Sequence, residues 1–293
     1  MLIESVASID IIYIFCHSKL PGDWELRYSL RSVERNLPWV RKVWVLGDRP
    51  EWLSENKQII EHVPHQYLSR PWRLNLPVRN SFWLTVLASL IPDLTPEFLW
   101  FADDYIVLEP IEPGEIMRVK VFEDLATLTS RGRGHWKDAL WRTHDLLKRL
   151  GYGTLNCECH VPMPMSKRLV WEAFCEFQDF MTEDRYYGPL MLTTLFNYAV
   201  KRWGLTFLDR PRPGPLTEGE GDAEGRWPLV MLNEGRYVGF YRQPHSLDDI
   251  RRGCEGKTYL NFDDAGFGEG MQAFLAERFS TPSIFEQSSR PVN

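Results

Sequence analysis

The sequence predicts an α/β fold: a mixed, mostly parallel sheet flanked by helices, in a single domain. Short, continuous apolar segments such as IDIIYIF (9–15) are typical of strands that are covered on both faces. Amphipathic segments with helical spacing lie between them, and the two kinds of segment alternate through residues 1–110. This alternation is the pattern of a doubly wound layer, in which ligands bind beyond the carboxyl ends of the strands.

The first half of the chain supplies most of the predicted sheet. A helix is expected over 23–37, where leucine and valine recur at helical spacing and Asp23 can cap the start. Further strands are predicted over 42–48, 57–63 and 97–108, with a helix over 78–91. The last of these strands contains two adjacent acids, Asp103 and Asp104.

The second half is predicted to be mainly helical. Helices are expected over 136–151, 166–180 and 190–204, with Ser166 as a cap and Gly151 and Gly204 as stops. A strand over 257–262 and a helix over 270–279 follow. Residues 209–227 combine proline, glycine and acids, which predicts a mobile loop inside one domain that spans 1–293.

Composition limits the classes of function. The chain has 293 residues, 44% of them hydrophobic, and a net charge of −6, so its overall field does not recruit nucleic acid or an anionic membrane. The five cysteines lack paired CxxC spacing, which favours reduced thiols over a zinc site or a disulfide frame. Because no apolar segment reaches the roughly 20 residues that span a bilayer, we expect a cytoplasmic protein without a transmembrane segment.

The acid pair Asp103–Asp104 is the main candidate site. FLWF precedes it and YIVL follows it, so charge interrupts a strand that is otherwise apolar. Two carboxylates at the carboxyl end of a strand can share a hard divalent cation, Mg²⁺ or Mn²⁺, which then offers open positions to phosphate oxygens. The alternative is an acidic turn that is simply solvated.

Other polar positions allow more than one interpretation. Asp10 lies in the first strand, Asp48 ends the second strand and could bind a ribose or base, and Arg27 could grip phosphates or pair with a glutamate on its own helix. His160 could be a metal ligand, a general base, a phosphate contact or a core histidine. Glu183 or Asp184 could deprotonate an acceptor, or could serve a helix dipole.

Several segments, taken in order, resemble the Stealth family of sugar-phosphate transferases. They are IDIIYIF, then ELRYSLRSVERNLPWVRKVWVLGDRPEWL, LPVRNS with EFLWFADDYIV, HVPMPMSKRLVWEAF, and KTYLNFDDAGFGEGMQAFLAERFSTPSIFE. The second segment is the most specific. The resemblance implies a GT-A-like (Rossmann-like) nucleotide-sugar transferase fold, with a nucleotide-sugar-binding half at 1–110 and an acceptor-side half at 111–293.

The resemblance also implies roles for individual residues. Asp103 and Asp104 would hold the metal, and a nucleotide-sugar donor, most simply a UDP-sugar, would contact Asp10, Arg27, Asp48 and Asn80. Catalytic roles around the diphosphate and acceptor would fall to Asp104, His160, Asp184 and Arg185, with Asp263 close to the cofactor.

Four departures from the family pattern bear on the reaction. His17-Ser18 replaces an aspartate-glycine pair, Ala102 and Phe262 stand in place of asparagines, and Thr85 stands in place of a glutamate. Because polar groups that would orient a phosphoryl centre are missing, we expect glycosyl transfer to a glycan precursor or other hydroxyl acceptor. The alternatives are Stealth-type sugar-1-phosphate transfer, glycosylation of a hydroxylated DNA base, and sugar-nucleotide binding without turnover.

Overall fold

A computed structural model describes residues 9–18, 22–184, 187–208, 227–232 and 235–287. The strands are β1 (Ile9–Phe15), β2 (Val40–Gly47), β3 (Ile60–Val63), β4 (Glu97–Phe101), β5 (Ile106–Val107), β6 (Val119–Val121), β7 (Glu123–Asp124), β8 (Leu155–Asn156), β9 (Met163–Ser166), β10 (Leu229–Met231), β11 (Tyr237–Phe240) and β12 (Tyr259–Phe262). The helices are α1 (Trp24–Asn36), α2 (His65–Ser69), α3 (Ser81–Ser89), α4 (Pro113–Ile116), α5 (His135–Arg149), α6 (Lys167–Phe177), α7 (Met191–Trp203), α8 (Leu247–Cys254) and α9 (Glu269–Arg278).

The central sheet has the order β3-β2-β1-β4-β9. β3, β2, β1 and β4 are parallel, and β9 pairs antiparallel with β4. The predicted mixed, mostly parallel sheet flanked by helices is therefore confirmed. Phe15 lies opposite Gly47, and Tyr13 lies opposite Phe101, so the carboxyl ends of β1, β2 and β4 share one edge of the sheet.

Helix boundaries follow local capping chemistry. The Ser166 side chain accepts a hydrogen bond from the Leu169 amide at 3.0 Å, as predicted for the start of α6. Gly204 ends α7 in the left-handed conformation, also as predicted. Asp23 precedes α1, but its side chain does not cap the helix, because it binds the loop that follows β1 instead.

The predicted strand over 97–108 is two strands in different sheets, so that prediction was wrong in detail. β4 ends at Phe101, and β5 pairs antiparallel with β12 in the sheet β11-β12-β5. Asp103 and Asp104 therefore lie in a turn at the carboxyl end of β4. The apolar pattern could not mark this break, because both strands are fully covered.

The main hydrophobic core draws on both halves of the chain, from Ile9 in β1 to Phe285 near the carboxyl terminus. The predicted loop over 209–227 lies outside the described residues except for Trp227, which is 1% exposed and packs 6.0 Å from the Trp203 ring. Among the helices of the described ranges, none has the length and apolar character needed to cross a membrane.

Candidate active site

The carboxyl ends of β1 and β2 meet at Gly47. A side chain there would place a Cβ atom 2.0 Å from the Phe15 carbonyl oxygen, so only glycine allows this approach. Asp48 follows directly, and its amide donates to the Phe15 carbonyl at 3.1 Å. The Asp48 carboxylate accepts a hydrogen bond from the His17 amide at 3.0 Å. Asp48 thus lies at the edge of the sheet that the sequence predicted.

Asp23 organises the loop between β1 and α1. Its carboxylate contacts His17 Nδ1 at 3.0 Å and accepts from the Ser18 amide at 3.1 Å. Glu25, in the first turn of α1, is 7% exposed, and burial together with the charges of Asp264 and Asp23 raises its pKa. Several carboxylates therefore face the same region as the acid pair.

Asp103 and Asp104 are partly exposed side chains in the turn after β4. Burial, then the charge of Asp104 and of Glu25, raise the pKa of Asp103 well above its usual value. Burial raises the pKa of Asp104 to about 7, although a hydrogen bond with Asn261 opposes the shift. Ionisation of this pair in the absence of a cation is therefore unfavourable.

Asn261 in β12, Tyr237 in β11 and Tyr241, which directly follows β11, form hydrogen bonds next to the acid pair. Asn261 Nδ2 donates to the Asp104 carbonyl at 3.2 Å, and Tyr241 donates its hydroxyl to Asn261 Oδ1 at 2.6 Å. The Tyr237 and Tyr241 hydroxyls are also hydrogen-bonded to each other. These contacts form a continuous polar chain that ends at the turn of Asp104.

His160 lies beside this polar chain. Its ring centre is 6.2 Å from that of Tyr241 and 5.6 Å from that of Trp136 in the first turn of α5. Burial lowers the pKa of His160, so the ring is neutral near pH 7 and able to accept a proton. His160 thus lies next to Tyr241, whose hydroxyl belongs to the polar chain that leads to the turn of Asp104.

Asn80 connects the same edge to the segment that precedes α7. Its Oδ1 accepts from the Phe82 and Trp83 amides and caps α3, while its Nδ2 donates to the Asp184 carbonyl at 3.0 Å. Glu183 is engaged by the Asn75 amide at 2.6 Å. Asp184 is exposed, and Arg185 lies outside the described residues.

The guanidinium of Arg27 already has a charge partner, so it is not free to bind a phosphate. Its guanidinium contacts Glu286 Oε2 at 3.2 Å and lies between the rings of Trp24 and Trp52, 4.8 and 4.4 Å from their centres. Glu286, close to the carboxyl terminus, also binds Arg31 through both oxygens. Arg27 lies in the first turn of α1, and its charge is already paired with that of Glu286.

Asp10 does not belong to the site, and the prediction that it contacts the donor is corrected. It is the second residue of β1 and lies at the opposite edge of the sheet from Asp104. Its carboxylate is fully buried and binds Arg41, the Trp44 indole and the Thr95 amide. These partners satisfy the charge and give Asp10 a structural role.

Asp263 shapes the turn that follows β12. Its carboxylate accepts from the Arg242 amide at 3.0 and 3.1 Å and from the Gly266 amide at 2.8 Å. The side chain that reaches the acid pair from this strand is Asn261. Sequence reasoning missed it, although a lone amide between apolar residues of the buried strand YLNF was a usable signal.

The acid pair fits a hard divalent cation. No group of three or more His, Cys, Asp or Glu side chains within the described ranges could hold a metal by itself. Mg²⁺ commonly takes only one or two carboxylates and fills its other positions with water and substrate phosphates. Asp103 and Asp104 supply such oxygens, and a cation would offset the burial and the neighbouring negative charges that raise the pKa of both groups.

Comparison with protein families places this turn inside a known region. Residues 20–124 match the model of the Stealth protein conserved region 2. The match includes Asp48, Asn80, Asp103 and Asp104, and it ends before His160 and Asn261.

Polysaccharide phosphotransferases are among the similar proteins. WefC, a receptor polysaccharide phosphotransferase of Streptococcus gordonii, is 27% identical over 72% of this chain and 74% of its own length. A capsular polysaccharide phosphotransferase of Neisseria meningitidis serogroup B is 29% identical over 53% of this chain and 44% of its own. LcbA, a capsular polysaccharide phosphotransferase of Aeromonas hydrophila, is 36% identical over 32% and 26%. The chain thus spans about three quarters of WefC and less than half of the other two.

Two solved structures of LgtC are among the structures that are similar to this chain. An active-site mutant of LgtC shares 11% identity and a TM-score of 0.44, over 94% of this chain and 98% of that one. The galactosyltransferase LgtC in complex with donor and acceptor sugar analogues shares 12% identity and a TM-score of 0.42, over 94% and 96%.

Proposed function

We propose that the chain is a Stealth-type, metal-dependent transferase that moves a sugar 1-phosphate from a nucleotide-sugar to a hydroxyl group of a glycan, because residues 20–124 match the conserved region 2 of Stealth proteins. The observation that carries this proposal is the partly buried pair Asp103–Asp104 at the carboxyl edge of the sheet, with the pKa of both groups raised. The polysaccharide phosphotransferases among its relatives support the reaction type.

Asn261 is the reason to prefer phosphotransfer over the glycosyl transfer expected from the sequence. That expectation rested on missing polar groups, one of them at Phe262. Phe262 is buried in the core, and the neighbouring Asn261 instead reaches the turn of Asp104. One of the polar positions that looked lost is therefore filled from the preceding residue.

Asp103 and Asp104 would hold Mg²⁺ or Mn²⁺ in this proposal. The cation would neutralise the donor diphosphate and the charge that develops on the leaving group. Asp48 would accept a hydrogen bond from the nucleoside of a UDP-sugar, and the amino end of α1 would direct its positive dipole towards the phosphates. Asn261 would fix the turn through the Asp104 carbonyl.

His160 would accept the proton of the acceptor hydroxyl, since burial keeps its ring neutral. The acceptor oxygen would then bond to the sugar-linked phosphorus. The bond from that phosphorus to the bridging oxygen would break, and the nucleoside monophosphate would leave. Asp184 and Arg185 remain proposed for the acceptor side of the same site.

Glycosyl transfer is the second candidate, and Ala102 favours it. Ala102 leaves the turn without the amide that the family pattern places before the acids, and the Thr85 hydroxyl is engaged by Ser81 and Met191. Attack would then fall on the anomeric carbon, and the nucleoside diphosphate would leave. The two reactions release different nucleotides.

The test is turnover of UDP-glucose and UDP-N-acetylglucosamine with Mn²⁺ and a mixture of glycan acceptors. We expect release of UMP, resolved from UDP by chromatography. Asp104→Asn should lower the rate at least about 100-fold, because the variant loses a charge that holds the cation near the diphosphate.

Asp93→Asn is the matched control, because Asp93 is an exposed carboxylate at the other edge of the sheet. It should retain the wild-type rate. Release of UDP would select glycosyl transfer instead, whereas a folded Asp104→Asn protein with undiminished metal-dependent turnover would contradict the assignment of the site.

A further inference from the structure

The loop that follows β1 holds a histidine and an aspartate in contact, His17 and Asp23. Nδ1 of the His17 ring lies 3.0 Å from Oδ2 of Asp23, and Asp23 is 7% exposed. Because an ionised carboxylate only accepts hydrogen bonds, Nδ1 carries the proton of this contact. The His17 side chain is 52% exposed, and none of the described residues forms a hydrogen bond with its Nε2. This nitrogen is therefore the atom that a ligand can reach.

His17 is held both by its main chain and by its ring. Its amide donates to the Asp48 carboxylate at 3.0 Å. The Phe15 ring packs edge-on against the imidazole, with 5.7 Å between the ring centres. Asp23 binds Nδ1 through one oxygen and accepts from the Ser18 amide at 3.1 Å through the other. A side chain that is already fixed loses little conformational freedom when it binds a ligand, so this pair is preorganised.

Asp23 departs from two local preferences to make this contact. It occupies the N-cap position of α1, where an aspartate normally accepts from amides of the first turn, but its side chain does not cap the helix. Its backbone is left-handed, with φ 49° and ψ 45°, which is uncommon for a residue other than glycine. A lost cap together with an uncommon backbone conformation is typical of functional sites, where one contact overrides local rules.

The pair lies between the two parts of the candidate active site. On one side, His17 is bonded to Asp48 at the end of β2. On the other side, burial raises the pKa of Asp103 after β4, and the negative charge of Asp23 adds to this shift. Strand β1 is the neighbour of both β2 and β4, so the pair follows the middle one of three strands whose carboxyl ends share an edge. Ligands of such sheets bind beyond this edge.

Negative charge is concentrated around the pair. The carboxylates that face this region are those of Asp23, Glu25, Asp48, Asp103 and Asp104. A diphosphate adds further negative charge, while Arg27 and Arg31 of α1 are already paired with Glu286. His17 stands where the family pattern has an aspartate, so this chain has exchanged a carboxylate for a side chain that can carry a positive charge.

We propose that His17 binds a phosphate oxygen of the nucleotide-sugar donor through Nε2 as a protonated imidazolium, and that Asp23 is the positioning residue that fixes its ring. The inference rests on the proposed function, because the proposed donor brings a diphosphate to this edge of the sheet. An imidazolium donates from both nitrogens, here to Asp23 at one end and to the phosphate at the other. The contact serves phosphotransfer and glycosyl transfer equally, since both start from the bound diphosphate.

The test is calorimetric binding of UDP and of uridine to the complete 293-residue chain with saturating Mg²⁺ at pH 7. The ratio of the two affinities isolates the contribution of the phosphates. His17→Gln keeps a hydrogen-bond donor but loses the charge. It should weaken UDP binding about tenfold, because a hydrogen bond between charged groups is lost, and change uridine binding less than about twofold. His17→Lys restores a positive charge and should recover part of the affinity for UDP.

His65→Gln is the matched control for a histidine near the same carboxylates. Burial lowers the pKa of His65 and the charge of Asp48 opposes this shift, so His65 is close to Asp48 as well, but it begins α2 beyond β3. Its replacement should change the affinity for UDP less than about twofold. Equal losses in both histidine variants would show that general charge, and not a contact of His17, favours the diphosphate.

Asp23→Asn tests the positioning role. Asparagine also adopts the left-handed conformation and can still accept from the Ser18 amide, so the loop is retained. This variant should weaken UDP binding about fivefold in the wild-type background and cause no further loss in His17→Gln protein, because Asp23 acts through His17. Additive losses would contradict that role.

Unchanged affinity for UDP in folded His17→Gln protein, or an equal loss of UDP and uridine binding, would overturn the inference. Neither result bears on the proposed function, which is tested by the released nucleotide and by Asp104→Asn. If Asp104→Asn keeps its turnover, the assignment of the acid pair fails, and the ratio of UDP to uridine affinity still decides the role of His17.

Discussion

Asp10 and Asp104 show how environment decides the role of a single residue. Asp10 is fully buried, yet Arg41 binds both of its oxygens, so its charge is balanced within the protein. Within the described ranges, no Lys, Arg or His lies within ion-pair distance of Asp103 or Asp104. The two neighbouring carboxylates therefore lack a counter-charge from these residues, and a bound cation would supply it.

The raised pKa of Asp104 predicts a pH dependence of stability in metal-free protein. The folded state holds the Asp104 proton up to about pH 7, whereas the unfolded chain releases it near 3.8. Protonation therefore stabilises the fold below pH 4, and the free energy of unfolding should fall as pH rises from about 4 to 7. Asp104→Asn should remove part of this slope, measured by urea denaturation at several pH values.

The pH dependence of the wild-type free energy of unfolding is not due to Asp104 alone, because burial raises the pKa of Glu158 to about 7 as well. The informative quantity is the difference between wild type and Asp104→Asn. Asp93→Asn, which removes an exposed carboxylate at the other edge of the sheet, is the control for the loss of one negative charge. If the Asp104→Asn slope equals that of the wild type, Asp104 ionises normally in the folded protein.

The sequence predicted elements well wherever one pattern covered the whole element. β1, β2, α1 and α7 follow apolar runs or helical spacing, and all were expected close to their observed bounds. The prediction of one strand over 97–108 was wrong, because two consecutive buried strands have the sequence pattern of a single apolar segment. Helix α8 was missed because it buries only Ile250 and Cys254 of its eight residues.

The site was only partly predictable for a related reason. Sequence order shows that Asp103, Asp104 and Asp48 end strands, which places them at one edge of a parallel sheet. It does not show which distant side chains reach that edge. Asn261 and Tyr241 arrive from a second sheet, and the pairing of β5 with β12 that brings them there depends on tertiary contacts. Asp10 was wrongly assigned to the donor, although as the second residue of β1 it lies near the amino end of that strand.

The segment of residues 283–287 forms hydrogen bonds both with α1 and with the loop that follows β2. Glu286 binds Arg31 at 2.7 and 2.9 Å, its side chain is 3% exposed, and neighbouring main-chain atoms bind Trp52 and Ser54. Glu286→Ala should lower the free energy of unfolding by about 3 kcal/mol, because it leaves the buried Arg31 charge unpaired. Urea denaturation measures this change.

Glu55→Ala is the comparison for that variant. Glu55 pairs with Arg49, but both side chains are exposed, so its loss should cost less than about 1 kcal/mol. Equal effects of the two substitutions would show that the Glu286 contact does not fasten the segment.

At the scale of the whole molecule, the main core does not divide at the boundary between the two halves. Ile11 and Val45 from the first half belong to the same apolar cluster as Val121, Leu195 and Trp227 from the second. A core shared in this way predicts that both halves unfold together, which is the thermodynamic meaning of the single domain expected from the sequence.

We therefore expect a single unfolding transition for the complete chain. Far-ultraviolet circular dichroism, tryptophan fluorescence and calorimetry should give the same midpoint, with the calorimetric enthalpy equal to the van 't Hoff enthalpy. Glu286→Ala should move all three midpoints by the same amount, since a segment near the carboxyl terminus holds a helix of the first half. Two separate transitions, or a shift confined to one probe, would mean that the halves fold as independent units and that the shared core contributes little coupling between them.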